Sequence, residues 1–216
     1  MNDFSANSIV LKVKALSYFR NEEKIFGPID FMLAGGNALL VKGGNGSGKT
    51  TLLRVLSGLL KAQSGEIRVE KPGNNHSDLS HSSAYLAHKP GHKAELSCLE
   101  NLEYLQAIFD HADIGLIEAA LIKVGLGGYE DTPAKQLSAG QNKRLGLARL
   151  LLSHSPCWLL DEPYANLDLQ GIELVNRLIR DQTERGGAVL LTTHGAYAAP
   201  DVPCQTLVLA DGRGHS

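Results

Sequence analysis

Gly43-Gly44-Asn45-Gly46-Ser47-Gly48-Lys49-Thr50-Thr51 separates two apolar runs of different period. Ala38-Leu39-Leu40-Val41 precedes it and reads as a buried strand. Thr51-Leu52-Leu53-Arg54-Val55-Leu56 follows it with apolar residues at helical spacing. The stretch fits the pattern G-x-x-x-x-G-K-[ST] in its required setting, a glycine-rich turn between a strand and a helix. Such a turn aims backbone N–H groups and the positive end of a helix dipole at one point, where an anion is stabilised. Glycines are required because side chains would block a polyphosphate and resist the turn's backbone angles. Lys49 can then reach the β- and γ-phosphates, and the Thr50 hydroxyl can ligate Mg²⁺. The residues from Gly43 to Thr51 therefore imply a chain that binds a nucleoside triphosphate.

The 216 residues suffice for one α/β domain with a subdomain. Net charge is −2 with both signs interspersed, and no basic run tracks a phosphodiester backbone, which argues against a nucleic-acid partner. No apolar segment approaches the ~20 residues that cross a bilayer, so any membrane role is expected to be peripheral. Asn2, Asp3 and Ser5 stand where a secretion signal would carry basic and then apolar residues. Cys98, Cys157 and Cys204 lack C-x-x-C spacing, and their odd number favours a reducing, cytosolic compartment.

Apolar alternation over residues 9–16 and 29–33 predicts an antiparallel β-ribbon. The helix after the glycine turn should end near Gly58. Residues 64–69 read as a turn into a strand, 71–83 as a polar surface loop, and 84–87 as a short strand. Helical periodicity over 98–112 and 114–124 predicts an inserted helical subdomain, at about 90–150. Residues 156–160 and 188–192 read as buried strands, 169–185 as a helix, 206–209 as an edge strand, and the last six residues as a frayed tail. The whole chain, 1–216, reads as a single α/β nucleotide-binding domain.

Two further segments carry chemistry. Cys157-Trp158-Leu159-Leu160-Asp161-Glu162 is an apolar strand ending in two carboxylates. About 110 residues after the glycine turn, it fits a Walker B element: Asp161 would hold Mg²⁺ and Glu162 would polarise the attacking water. Leu137-Ser138-Ala139-Gly140-Gln141 precedes a helix, so the Ser138 and Gly140 N–H groups lie at a second helix N-terminus. Ser138 would also serve as an ordinary N-cap.

The order of these motifs resembles the ATP-binding-cassette (ABC) family of ATPases. LSAGQ lies 23 residues before Asp161 and resembles that family's signature, Tyr164-Ala165-Asn166-Leu167-Asp168 its D-loop, and Thr192-Thr193-His194 its switch histidine. The resemblance implies a P-loop NTPase fold with an N-terminal antiparallel β-subdomain and an inserted α-helical subdomain. It implies a homodimer of ATPase domains, with ATP and Mg²⁺ held between the phosphate loop of one copy and the Ser138–Gly140 segment of the other. Glu162 would be the general base, and His194 would contact the γ-phosphate.

Three segments are similar to a narrower group, the ATP-binding subunits of bacterial cytochrome c maturation (haem export) systems. They are LSAGQNKRLGLARL, PCWLLDEPYANLD and AYLAHKPGHKAELSCLENL. That likeness implies integral membrane partner subunits, a peripheral place on the cytoplasmic face of the inner membrane, docking through residues 89–105, and no direct haem contact. Two positions depart from the common ABC pattern. The Q-loop glutamine falls on His88, followed by Lys89, and His88 could serve as the sensor. The aromatic adenine platform falls on Arg20, whose guanidinium could stack on a purine. Tyr18 and Phe19 just before it could also stack, or could pack the ribbon. His76, His81, His88 and His92 cluster in sequence, but Pro90 interrupts a helix that would align the last two, so no metal or haem site is expected there. Cys98, Cys157 and Trp158 are expected in the core.

Overall fold

Alternating apolar residues in the first third of the chain fold as two long antiparallel strands, β1 (Val10–Arg20) and β2 (Glu23–Ala34). Both run beyond the expected ribbon, because the register shifts between Val13 and Phe19 let the pair bend and continue. The computed structural model describes residues 9–70, 76–77 (backbone only), 79–89, 91–108, 114–193 and 200–210. After the ribbon come β3 (Ala38–Lys42), α1 (Lys49–Leu56), β4 (Ser64–Glu70) and the two-residue β5 (His76–Ser77). Next follow β6 (Ser83–Leu86), α2 (Cys98–Ile108), α3 (Ile114–Lys123), α4 (Ala139–Leu152), β7 (Cys157–Leu160), α5 (Leu169–Glu184), β8 (Ala188–Thr192) and β9 (Cys204–Val208).

Two sheets result. One has the order β2-β1-β4-β5, with β1 antiparallel to both its neighbours. The other has the order β6-β7-β8-β3-β9, and β3 is parallel to β8 and β9, as β7 is to β8. The strands of its middle read as unbroken apolar runs because a parallel strand is covered on both faces. Accordingly every residue of β7 and β8 is buried, Trp158 and Cys157 among them.

The polar stretch before β6, expected as a surface loop, carries β5 and a 3-10 turn over Leu79–His81. Leu79 is buried there and joins the core with Val69 and Leu11. One leucine among serines, asparagines and histidines is a weak periodic signal, and only its tertiary burial fixes the turn.

The chain divides into two compact units. The first comprises Met1–Tyr85, Ser155–Pro163 and Asn176–Ser216 and holds both sheets' central strands and α1. The second comprises Leu86–His154 and Tyr164–Val175 and holds α2, α3 and α4. Cys98, Leu102, Ile117 and Leu121 are fully buried within it. No helix among the described residues is long and apolar enough to cross a membrane.

Candidate functional site

In the first unit the glycine turn leaves the sheet at its interior, because β3 has a strand on either side. Gly48 caps α1 from the left-handed region at φ 93°, and a Cβ there would meet the Ile25 carbonyl at 3.0 Å. Gly43 is constrained by space: its Cβ would fall 2.8 Å from the Leu209 carbonyl and closer still to Ser47. The first amides of a helix lack intrahelical carbonyls and point along its axis, so the start of α1 suits an anion. Lys49 is buried, and its Nζ donates to the Gly43 and Gly44 carbonyls at 2.8 and 2.9 Å. The turn's own backbone thus satisfies a buried ammonium until an anion replaces those carbonyls.

A cavity of about 310 Å³ opens above this turn, lined by Arg20, Ile25 and the residues from Asn45 to Thr51. A guanidinium, an ammonium and a helix N-terminus face it, and no carboxylate is among its lining residues. The Ser47 hydroxyl oxygen is buried with no hydrogen-bond partner among the described residues. These features fit a polyphosphate. Of the three residues weighed for the base, Tyr18 is buried and stacks on Phe26 at 6.2 Å between ring centroids. Phe19 lies outside the cavity lining, and Arg20 is part of it.

Asp161 follows the last buried residue of β7 and is itself 1% exposed. Its Oδ1 accepts from the Thr50 hydroxyl at 3.2 Å and from the Thr192 hydroxyl at 2.9 Å. Its Oδ2 accepts from the Tyr85 phenol at 3.3 Å. The Thr192 oxygen in turn accepts from the Glu162 backbone N–H at 3.0 Å. Burial, then the nearby Asp161 charge, pushes the Tyr85 phenol up to about 12, so it remains a donor. The sequence pattern brought Thr50 and Asp161 into view but missed Thr192 and Tyr85. The sheet order is the signal that was missing: β8 lies between β7 and β3, and its last residue spans the gap.

Glu162 has φ 50°, a left-handed conformation that costs a non-glycine residue about 1–2 kcal/mol. Strain of this kind collects at functional sites. The half-buried Glu162 is thereby turned out of the direction its strand would give it. His194 lies outside the described residues; Thr193, just before it, is buried.

The remaining sequence-selected residues belong to the second unit. Ser138 caps α4 in a reciprocal capping box: its Oγ accepts from the Gln141 N–H at 3.2 Å, and its own N–H donates to the Gln141 side chain at 2.9 Å. Gln141 of LSAGQ therefore has a structural duty at this helix start. Gly140 packs against the D-loop-like segment, where a Cβ would stand 3.1 Å from the Asn166 carbonyl. His88 has an exposed side chain, and its carbonyl accepts from the buried Lys143 ammonium at 3.3 Å. His92 Nε2 lies 3.1 Å from the Asn142 carbonyl, to which its N–H donates. Burial pushes the His92 imidazole down to about 4. Two successive residues of α4 thus tie both ends of the loop that carries His88. The run after it is held by Asn101, whose side chain bonds Lys93 N, Lys93 O, Leu96 O and Ser97 O.

The profile of the family described as "ABC transporter" matches residues 26–165. The chain is 56% identical over 200 residues to the cytochrome c biogenesis ATP-binding export protein CcmA of Xanthomonas campestris pv. campestris (strain 8004), covering 93% of this chain and 94% of the relative. The chain belongs to the CcmA family of ABC transporter ATP-binding proteins. CcmA proteins of Xylella fastidiosa (strain Temecula1) and Yersinia pestis bv. Antiqua (strain Nepal516) are 47% and 39% identical to it, each over 94% of their own length. Among solved structures, the ATP-binding subunit of an ABC transporter superposes with a TM-score of 0.83 at 22% identity, covering 94% of this chain and 87% of the other. A nucleotide-free ATP-binding cassette from an ABC transporter gives 0.79 at 21% identity, over 94% and 88%. The fold of this CcmA family member is thus that of the ABC ATPases, as its motif order implied.

Proposed function

We propose that the chain is the ATP-hydrolysing subunit of a bacterial ABC transporter complex for cytochrome c biogenesis. In that complex it powers haem export or the release of a haem-loaded chaperone. The observation that carries the chemistry is the convergence of Thr50, Asp161 and Thr192 at the mouth of the glycine turn. The 56% identity to CcmA supports the pathway.

In this reading the amides from Gly43 to Thr51 and the Lys49 ammonium hold the β- and γ-phosphates, and Arg20 stacks on the adenine. Thr50 and Asp161 would hold Mg²⁺, which would supply neutralisation of the negative charge on the phosphates. Both are oxygen donors, the chemistry that ion selects, and they already lie within hydrogen-bond reach of each other. Glu162 accepts a proton from water as the water oxygen bonds the γ-phosphorus and the bond to the β–γ bridging oxygen breaks. ADP leaves with that electron pair, and phosphate is released. His194 orients the same water. Ser138 and Gly140 present the α4 N-terminus to the nucleotide of a second copy, so that hydrolysis needs a homodimer of ATPase domains. His88 senses the γ-phosphate side of the site for the membrane partner. The subunit sits on the cytoplasmic face of the inner membrane, bound through residues 89–105 to integral subunits, and touches neither haem nor nucleic acid.

The test is co-purification of tagged wild-type and Glu162→Gln protein from membranes in mild detergent, with partners identified by mass spectrometry. Haem-handling integral subunits, retained more strongly by Glu162→Gln with ATP, are the expected result. Recovery of an unrelated permease would replace the cargo. Recovery of no membrane protein would remove the transporter role.

A further inference from the structure

Asp161 has more partners than a metal-holding carboxylate requires. Two hydroxyls bond its Oδ1, one from Thr50 on α1 and one from Thr192 on β8. The other oxygen is met by a phenol from β6, a strand with no part in the phosphate loop. Tyr85 does not stand alone either: the Arg54 guanidinium, one turn along α1 from Thr50, lies near enough for its charge to act on the phenol. The result is a directed bond from Tyr85 to Asp161 Oδ2, with the Arg54 charge beside the phenol that donates it. All three residues belong to the first unit.

A carboxylate can rotate about its last bond and exchange its two oxygens. At Asp161 that exchange would break hydrogen bonds on both sides at once, because each oxygen has its own donors. The Arg54 end has a further effect. A cation that polarises the phenol makes its O–H a stronger donor, and a charge-assisted bond to a carboxylate holds orientation better than a neutral one. Removing a partner that orients a metal-holding carboxylate typically costs about 10–100-fold in metal affinity or activity.

We propose that Tyr85, backed by Arg54, is a positioning residue that fixes the Asp161 carboxylate so that Oδ1 faces Thr50 and the nucleotide-bound cation. Tyr85 itself touches neither nucleotide nor metal. The inference rests on the reading of Asp161 as a Mg²⁺-holding residue.

The experiment measures binding of a fluorescent ATP analogue as Mg²⁺ is titrated, on the full chain, together with ATP turnover against Mg²⁺ concentration. Tyr85→Phe keeps the ring and removes only the hydroxyl. It should leave metal-free nucleotide affinity within about twofold of wild type while raising the Mg²⁺ concentration for half-maximal effect roughly tenfold. Arg54→Met should move the same midpoint in the same direction by about two- to threefold, and it serves as the deciding variant if Tyr85→Phe does not fold. Excess Mg²⁺ should restore most of the turnover lost by Tyr85→Phe, which a general structural defect would not allow. Asp161→Asn separates the two levels of the argument. An unchanged Mg²⁺ dependence in Asp161→Asn would remove the reading of Asp161. A changed dependence there, with a wild-type midpoint in Tyr85→Phe, would overturn the role of Tyr85 alone. Equal losses of metal-free and metal-dependent binding in Tyr85→Phe would likewise overturn it.

Discussion

Replacing Thr192 by valine tests the link between the end of β8 and the carboxylate-bearing end of β7. The side chains have nearly the same shape, and Thr192 is fully buried, so the change removes a hydroxyl with little change in packing volume. Two bonds go with it: the one donated to Asp161 at 2.9 Å and the one accepted from the Glu162 amide at 3.0 Å. The first is charge-assisted and contributes about 1.5–3 kcal/mol; the second leaves an amide unpaired in a half-buried place, at about 1 kcal/mol or more. The additional methyl returns about 0.8 kcal/mol of burial, leaving a net loss of about 2–3 kcal/mol. For a chain of this size that lowers the thermal midpoint by about 4–12 °C. Thr192→Ser keeps both bonds and loses only a methyl, at about 1 kcal/mol. Urea and thermal unfolding of wild type, Thr192→Ser and Thr192→Val should rank in that order of falling stability. A valine variant as stable as wild type, or more stable than the serine variant, would refute the assignment of Thr192 as the linking residue.

Glu162→Gln should lower ATP turnover by about 10²–10⁴-fold while nucleotide affinity stays within about twofold, read from single-turnover rates and equilibrium titration. Loss of binding in step with turnover would point away from a general base. Arg20→Ala should weaken ATP binding about tenfold and leave inorganic tripolyphosphate binding unchanged, since a stacked guanidinium acts on the base. Equal weakening of both ligands would make Arg20 a phosphate contact instead. His92 titrates near 4 when folded and near 6.5 when unfolded, so below pH 6.5 the unfolded chain takes up a proton that the folded one excludes. Its contribution is therefore complete above pH 6.5 and lost as pH falls toward 4. Protonation would also set a charge near Arg149. His92→Gln, which can still donate to the Asn142 carbonyl, should show a smaller fall in urea midpoint between pH 7 and pH 5. An equal fall would assign that loss to other groups.

The β3-turn-α1 unit was legible because strand, glycines and helix are contiguous, and each segment carries its own period. The Walker B strand and α4 were legible for the same reason, since an apolar run or a capping serine marks each locally. Tyr85 and Thr192 were not legible as partners of Asp161, because neither bears a local mark. One reads as an aromatic in a short strand and the other as a β-branched strand end, and only the sheet order brings them to one carboxylate. The double reading of Ser138 persists for a physical reason: a capped helix start and an anion-binding helix start use the same amides. Leu79 was missed because a single leucine in a polar run has no period. The lengths of β1 and β2 were missed because bulges interrupt the alternation that marks a strand.

The placement of β3 between β8 and β9 has a consequence for how the protein is made. Both neighbours of β3, β8 and β9, are made after residue 187, so at 5–20 residues per second the ribosome releases the glycine turn about 7–30 seconds before its flanking strands exist. During that interval β3 offers two open edges of an apolar strand, the kind of surface that pairs with another chain. A nascent copy would therefore need shelter, from a chaperone or from the ribosome's own surface, until residue 208 has emerged. Nor would Asp161 yet be held as in the folded protein, because Thr192 would not be available to bond it.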